Sequence, residues 1–221
     1  MQIIIDDRYK ALCPAMEIGS IECRIANCPT PDALWAELTV ASAQLASRYE
    51  LLEINRRPAI AATRALYKAL GKDPNRYRGA SEALCRRIIR GVGLYRLTAA
   101  VDLINLLSVV TGYAISGIDA DKVAGDRLTL SVGTAADEYY GIGRGRLNVE
   151  GLPMYRDAIG GIATPTSDEE RIKIELGTTH LLININAFAP EEPMEQAIAL
   201  AERLLRDYAS ATEIEIKTYR P

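Results

Sequence analysis

The chain holds a single histidine, His180, among 221 residues, and that scarcity narrows the chemistry open to it. Most general-base schemes near neutral pH use an imidazole, so any such scheme here must pass through His180. It follows Thr178 and Thr179 and stands at the mouth of the apolar run Leu181-Leu182-Ile183, a strand entrance where a histidine more often serves as a structural hydrogen-bonding group. Cysteine is scarce too. Cys13, Cys23, Cys28 and Cys85 show no paired CxxC spacing, which excludes a zinc knuckle of recognised type and leaves buried free thiols as the expectation. No run of about 18 or more apolar residues occurs, and the opening Met1-Gln2-Ile3-Ile4-Ile5 lacks the basic end and long apolar stretch of a signal peptide. A cytoplasmic protein without membrane association is expected. There is no Ser/His/Asp order, no HExxH and no acidic metal cluster, so neither a metal nor a cofactor is expected. Asp119 and Asp121 fit a helix N-cap better than a cation site, having no further oxygen ligands nearby.

What remains is an ordinary globular composition, 48% hydrophobic and 25% charged, able to bury a core without disulfides. Residues 1–5 and 20–25 read as strands, and Pro31-Asp32 opens a helix running to about Arg48. Helical spacing recurs from Pro58 to Gly71, from a Ser81 cap to Gly91, and from Thr98 to Gly112. The stretch 113–187 turns glycine-rich and β-branched, with strands expected at 128–132 and 181–187. The strongest helix follows Pro193, and Glu213-Ile214-Glu215-Ile216 alternates as a last strand. Strands at both ends favour one intertwined α/β unit over residues 1–221 rather than two separable domains. Gly141-Ile142-Gly143-Arg144-Gly145-Arg146 looks like a phosphate loop, but no helical pattern follows it, so it reads as a flexible loop whose arginines could still touch a phosphate. Thr166 to Glu170 reads as a turn.

The net charge of -3 hides a strong segregation of charge. Residues 1–55 sum to -4, residues 56–96 to +9 and residues 97–221 to -8. The basic block holds Arg56, Arg57, Arg64, Lys68, Lys72, Arg76, Arg78, Arg86, Arg87, Arg90 and Arg96, with Tyr67, Tyr77 and Tyr95 among them. Such density suits a surface that meets phosphates, with the tyrosines free to stack on unpaired bases. The alternative is a set of helix faces whose arginines bind the acidic remainder of the same chain.

The stretches Ala99-Ala100-Val101-Asp102-Leu103-Ile104-Asn105, Thr111 to Asp119 and Lys122 to Gly125 resemble the B3/4 module of the phenylalanyl-tRNA synthetase β-subunit. The similarity to free-standing relatives of that module extends upstream through Ala65 to Gly71 and Asp73 to Arg78, and covers about residues 57 to 187. It implies an α+β fold of layered β/β/α type, with helices packed on mixed sheets, and a role near aminoacylated tRNA. Within synthetases the module removes tyrosine wrongly attached to the phenylalanine tRNA. Carried over, the family's pocket Asn is Asn105, its preceding Thr is replaced by Ile104, its pocket His by Ser116, and the Glu that recognises the tyrosine hydroxyl by Asn184. Gly160-Gly161-Ile162 matches the first half of the glycine-rich pocket wall, whereas Ala163-Thr164-Pro165 departs from the second. An Asn discriminates a phenol more weakly than a buried Glu, while ester hydrolysis can run through a positioned water.

These readings combine into an RNA-binding module that holds a tRNA acceptor end, with no complete synthetase activity and no DNA partner. Its substrate pocket is expected at Asn105, Ser116, Gly160, Gly161 and Asn184, and its RNA surface at Arg56, Arg57, Arg64, Lys68, Arg76, Arg78, Arg86, Arg87 and Arg90. Two alternatives stand beside it. One is a free-standing deacylase of mischarged tRNA, and the other a module that binds an amino acid or a protein without RNA.

Overall fold

A computed structural model describes residues 1–191 and 193–221. The first half runs β1 (Gln2–Ile5), α1 (Arg8–Leu12), β2 (Glu17–Arg24), α2 (Asp32–Arg48), α3 (Pro58–Ala69), α4 (Ala80–Ile89) and α5 (Ala99–Thr111). The second runs β3 (Ala114–Asp119), β4 (Arg127–Val132), β5 (Tyr140–Gly141), β6 (Gly145–Arg146), β7 (Pro153–Arg156), β8 (Gly161–Ala163), β9 (His180–Ala187), α6 (Met194–Ala209) and β10 (Thr212–Tyr219). Thr98 caps α5 by accepting the Val101 amide, and Gly112 ends it in a left-handed conformation (φ 76°), a C-terminal stop in which glycine meets no Cβ penalty. The α4 start differs from expectation: Gly79 holds the cap position, and Ser81 is buried within the first turn.

One sheet has the order β10-β2-β9-β3, all antiparallel, and so joins strands from both ends of the chain. The other has the order β1-β4-β7-β8, with β1 parallel to β4. Because side chains alternate across a strand, the first sheet buries both faces. Ile21, Cys23, Leu181, Ile183 and Ile185 pack with α2, α5 and α6, whereas Ile18, Leu182 and Ala114 pack with Leu128, Leu130 and Tyr155 of the second sheet. The layers are therefore helix, sheet, sheet, and the class is α+β, in agreement with the expectation. The apolar stripe of α6 supplies Met194, Ala197, Ala201, Leu204 and Leu205 to the first layer. Strands β7 and β8 were not legible in the pattern, since four and three residues are too short to show a period.

Gly133 sits where the chain leaves β4, its amide donating to Leu152 and its carbonyl accepting from Gly151. A Cβ there would lie 2.1 Å from the Val149 carbonyl oxygen, which is backbone and cannot swing away. Gly133→Ala should cost about 2–3 kcal/mol in a denaturant melt, and a loss below about 0.5 kcal/mol would refute that tight approach.

Candidate functional site: a cleft between helix α5 and strand β3

Helix α5 turns Leu103 and Leu107 to the core, while Val101, Ile104, Asn105 and Ser108 form a neighbouring stripe at i, i+3, i+4, i+7 spacing. This stripe faces Ile115 and Gly117 of β3 across a cleft of about 390 Å³, closed at its sides by Leu84, Leu97, Ile142 and Ile174. Gly117 is what lets helix and strand come so close. A Cβ there would meet Ile104 Cδ1 at 2.4 Å and Ile174 Cδ1 at 3.0 Å.

Asp168 is the polar centre of the cleft, and its carboxylate accepts the Gly117 amide at 3.3 Å. β3 is the last strand of its sheet, so this bond satisfies a donor on an open edge. The residue keeps some exposure through the cleft mouth, but among the described residues no cation pairs with its carboxylate, and burial pushes its pKa up to about 8. The hydrogen bond from Gly117 opposes that rise without cancelling it. Lys173 lines the same cleft and is bound to Glu170. Asp168 belongs to a segment that reads as a plain turn, and only its place in the cleft, with no cation beside its carboxylate among the described residues, singles it out, a feature invisible before folding.

Asn105 of the expected pocket does line this cleft, and its Nδ2 donates to Asp102 at 3.3 Å. Asp102 is fully buried and accepts Thr30 Oγ1 at 2.6 Å and the Leu97 amide at 2.9 Å, which fixes the segment leading into α5. Ser116 and Asn184 lie elsewhere. They are register partners on β3 and β9 whose side chains face the opposite way, into the seam between the two sheets. There Ser20 donates to Asn184 Oδ1 at 2.9 Å and Tyr155 donates to Asn186 Oδ1 at 2.6 Å, while Ser116 Oγ and Asn184 Nδ2 have no hydrogen-bond partner among the described residues. The void beside Ser116 measures about 10 Å³, too small for an amino acid. Gly160 and Gly161 stand at β8, where a Cβ on Gly161 would lie 2.4 Å from Met154 Sδ. The expected pocket is thus divided, because one residue of offset along a strand sends a side chain to the other face.

The basic block is also divided. Arg57 is buried, donating to the Val109 and Val110 carbonyls at 2.9 Å each, which are free acceptors at the end of α5. Glu82 is buried too, with Arg86 at 2.7 Å, Arg64 at 3.0 Å and Arg78 at 3.3 Å from its carboxylate. Arg87 binds the Gly93 carbonyl and covers the Tyr95 ring, and Lys72 binds the Asn148 and Glu150 carbonyls. Arg56, Lys68, Arg76 and Arg90 remain exposed. A single cationic face made by all nine expected RNA contacts is therefore not what the fold builds: helix ends and a buried carboxylate take up much of the charge. His180 is held between Asp121 at 2.9 Å and Glu22 at 3.0 Å, away from the cleft-lining residues, as a structural group. Asp119 holds the N-cap position of the short 3-10 helix Ala120–Lys122, but its carboxylate makes no capping bond and accepts Thr178 Oγ1 at 2.7 Å.

The sequence matches the B3/4 domain family over residues 62–210, a span that includes α5, β3, the Asp168 segment, β9 and α6. The chain belongs to the B3/4 domain family. Among solved structures it is similar to an N-terminal fragment of the phenylalanyl-tRNA synthetase β-subunit from Pyrococcus horikoshii, with 11% identity and a TM-score of 0.49. That alignment covers 100% of this chain and 54% of the fragment, so the chain spans about half its length. No curated protein matches the sequence. In this B3/4 domain the α5–β3 cleft and the polar seam lie on opposite faces of one strand, and of the two only the cleft is large enough for a small molecule. No described helix is long and apolar enough to cross a membrane, and no metal-binding cluster occurs among the described residues.

Proposed function

We propose that this B3/4 domain binds the aminoacylated 3′ end of a tRNA, with the aminoacyl group in the cleft between α5 and β3. The observation that carries the reading is an apolar cavity of about 390 Å³ into which one carboxyl faces, Asp168, with no cation paired to it among the described residues. Val101, Ile104, Ile115 and Ile174 suit an apolar or aromatic side chain, and Asp168 with Asn105 suits the polar hydrogens of an amine or hydroxyl. Family membership supports the tRNA context. Titration with 3′-aminoacylamino-3′-deoxyadenosines, which resist hydrolysis, tests it. At least one should bind, and Val101→Trp, which fills the cleft from a half-buried position, should weaken that binding at least tenfold. Equal binding to both proteins, or none to the wild type at millimolar concentration, rejects the reading.

Asp168 also favours a second reading, hydrolysis of the ester. A carboxyl that titrates near 8 can accept a proton from an attacking water close to neutral pH. The enzymatic part of the rate should then rise with pH and level off above about 8, and Asp168→Asn should remove it. Release no faster than the uncatalysed background from a panel of mischarged tRNAs excludes it.

A further inference from the structure

The hairpin formed by β5 and β6 lies beside the cleft and is tied to its floor. Gly141 pairs with Gly145 across the hairpin and bridges to Glu169 on its other side. The Ile142 amide donates to the Asp168 carbonyl at 2.9 Å, and the Ile142 side chain forms part of the cleft wall. A turn closed by the Arg144 amide on the Gly141 carbonyl carries Gly143 and Gly145 at φ 65° and 69°, which is left-handed backbone natural to glycine. No atom lies within 4 Å of where either glycine would carry a Cβ, so the outer side of this turn is open to an approaching group.

Arg144 and Arg146 project from this turn, both exposed, and neither side chain has a hydrogen bond or ion pair among the described residues. Two carboxylates that the fold brings beside the hairpin are already engaged, Glu169 with Arg171, and Glu170 with Lys173 and the Gly143 amide. That contrasts with the basic block, where Arg57, Arg64, Arg86 and Lys72 have their donors occupied inside the fold. Unpaired arginines on an open glycine turn offer planar, multiply donating contacts to phosphate oxygens. Their position, two and four residues after a cleft-lining side chain, puts them where the rest of a ligand would emerge if its small end were seated inside.

We infer that the Gly141–Arg146 hairpin is the phosphate-binding element of this domain, with Arg144 and Arg146 holding the sugar-phosphate backbone of the RNA whose 3′ end enters the cleft. This rests on the proposed function for the identity of the ligand, but it assigns the affinity for RNA to a site outside the basic second quarter of the chain. Bases need not be read there, since phosphate contacts carry no sequence information.

Fluorescence anisotropy with a labelled RNA stem-loop ending in a four-nucleotide single-stranded 3′ tail tests the inference. The RNA is used once with a free 3′ hydroxyl and once with amide-linked phenylalanine. Removing both side chains with Arg144→Ala/Arg146→Ala should weaken binding of either RNA by about tenfold or more. It should also lower the slope of log affinity against log salt by about 0.7 per lost phosphate contact. Lys68→Ala/Arg90→Ala, which removes two exposed cations of the basic block, should change affinity less than twofold. If the hairpin variant binds as the wild type does, or only the Lys68/Arg90 pair matters, the inference is overturned. The cleft reading fails separately: the amide-linked phenylalanine then adds no affinity and Val101→Trp has no effect, while the arginine dependence persists and supports the hairpin.

Discussion

Replacing Glu82 with glutamine is expected to cost about 3–5 kcal/mol of folding stability, the range for breaking a buried ion pair from one side. Its carboxylate is the common partner of Arg64, Arg78 and Arg86, and its side chain is 2% exposed against 13% for Arg64 and Arg86. Those two guanidiniums also bind the Pro74 and Leu51 carbonyls, so one carboxylate ties α3, α4, the turn at 74–75 and the chain after α2 together. Glutamine keeps the volume but leaves the arginines facing one another without a counter-charge. Arg78 is 34% exposed, so its share is small and Arg78→Ala should cost less than about 1 kcal/mol. Urea unfolding of the three proteins decides it, and a Glu82→Gln loss below about 1 kcal/mol would show that the cluster is not an internal hub. The same experiment bears on function, because arginines needed to hold α3 and α4 together are not free to bind a polyanion.

Asp168→Asn is expected to stabilise the protein at alkaline pH while changing it little in acid. The folded-state pKa of about 8 lies above the ordinary carboxyl value of 3.8. Between those values the folded chain holds a proton that the unfolded chain has released, so stability is greatest below about pH 4 and declines as pH rises toward 8. Asparagine accepts the Gly117 amide equally well and carries no charge, which removes this dependence. The cleft admits water, so about 2 kcal/mol at pH 9 is a reasonable size for the gain, or about 4–8 °C in melting temperature for a chain of this length. Melts at pH 5 and pH 9 check it. An equal difference between wild type and variant at both pH values would mean that Asp168 takes up no proton on folding. A residue that lowers stability yet sits in an apolar cleft with no cation paired to it among the described residues fits a group kept for a ligand.

Much of the architecture is written in local pattern. The helices starting at Asp32, Pro58 and Ala99 follow from their apolar spacing, from Pro58 at a first turn and from Thr98 and Gly112 at the ends, all of which act within a few residues. Strand β9 and helix α6 are equally plain. The short strands β5 to β8 are not, because two to four residues carry no measurable period and exist through pairing alone.

The site divides along the same line. Asn105 is singled out by the resemblance, and the arginines of the Gly141–Arg146 segment by lying in a glycine-rich stretch that no helical pattern follows, from sequence alone. Sequence by itself determined helices α2 to α6, strands β1, β2, β4, β9 and β10, the charge of the second quarter and the kinship with the B3/4 module, but neither α1 nor the cleft strand β3. Only the tertiary structure decided that Ser116 and Asn184 face the seam while Asn105 faces the cleft, that Glu82 absorbs three arginines, and that the Asp168 carboxylate lines the cleft with the Gly117 amide as its donor and no cation paired to it among the described residues. The physical reason is range. Helix and strand formation is settled by neighbours a few positions away, whereas the burial and pairing of a charge depend on side chains brought together from distant parts of the chain.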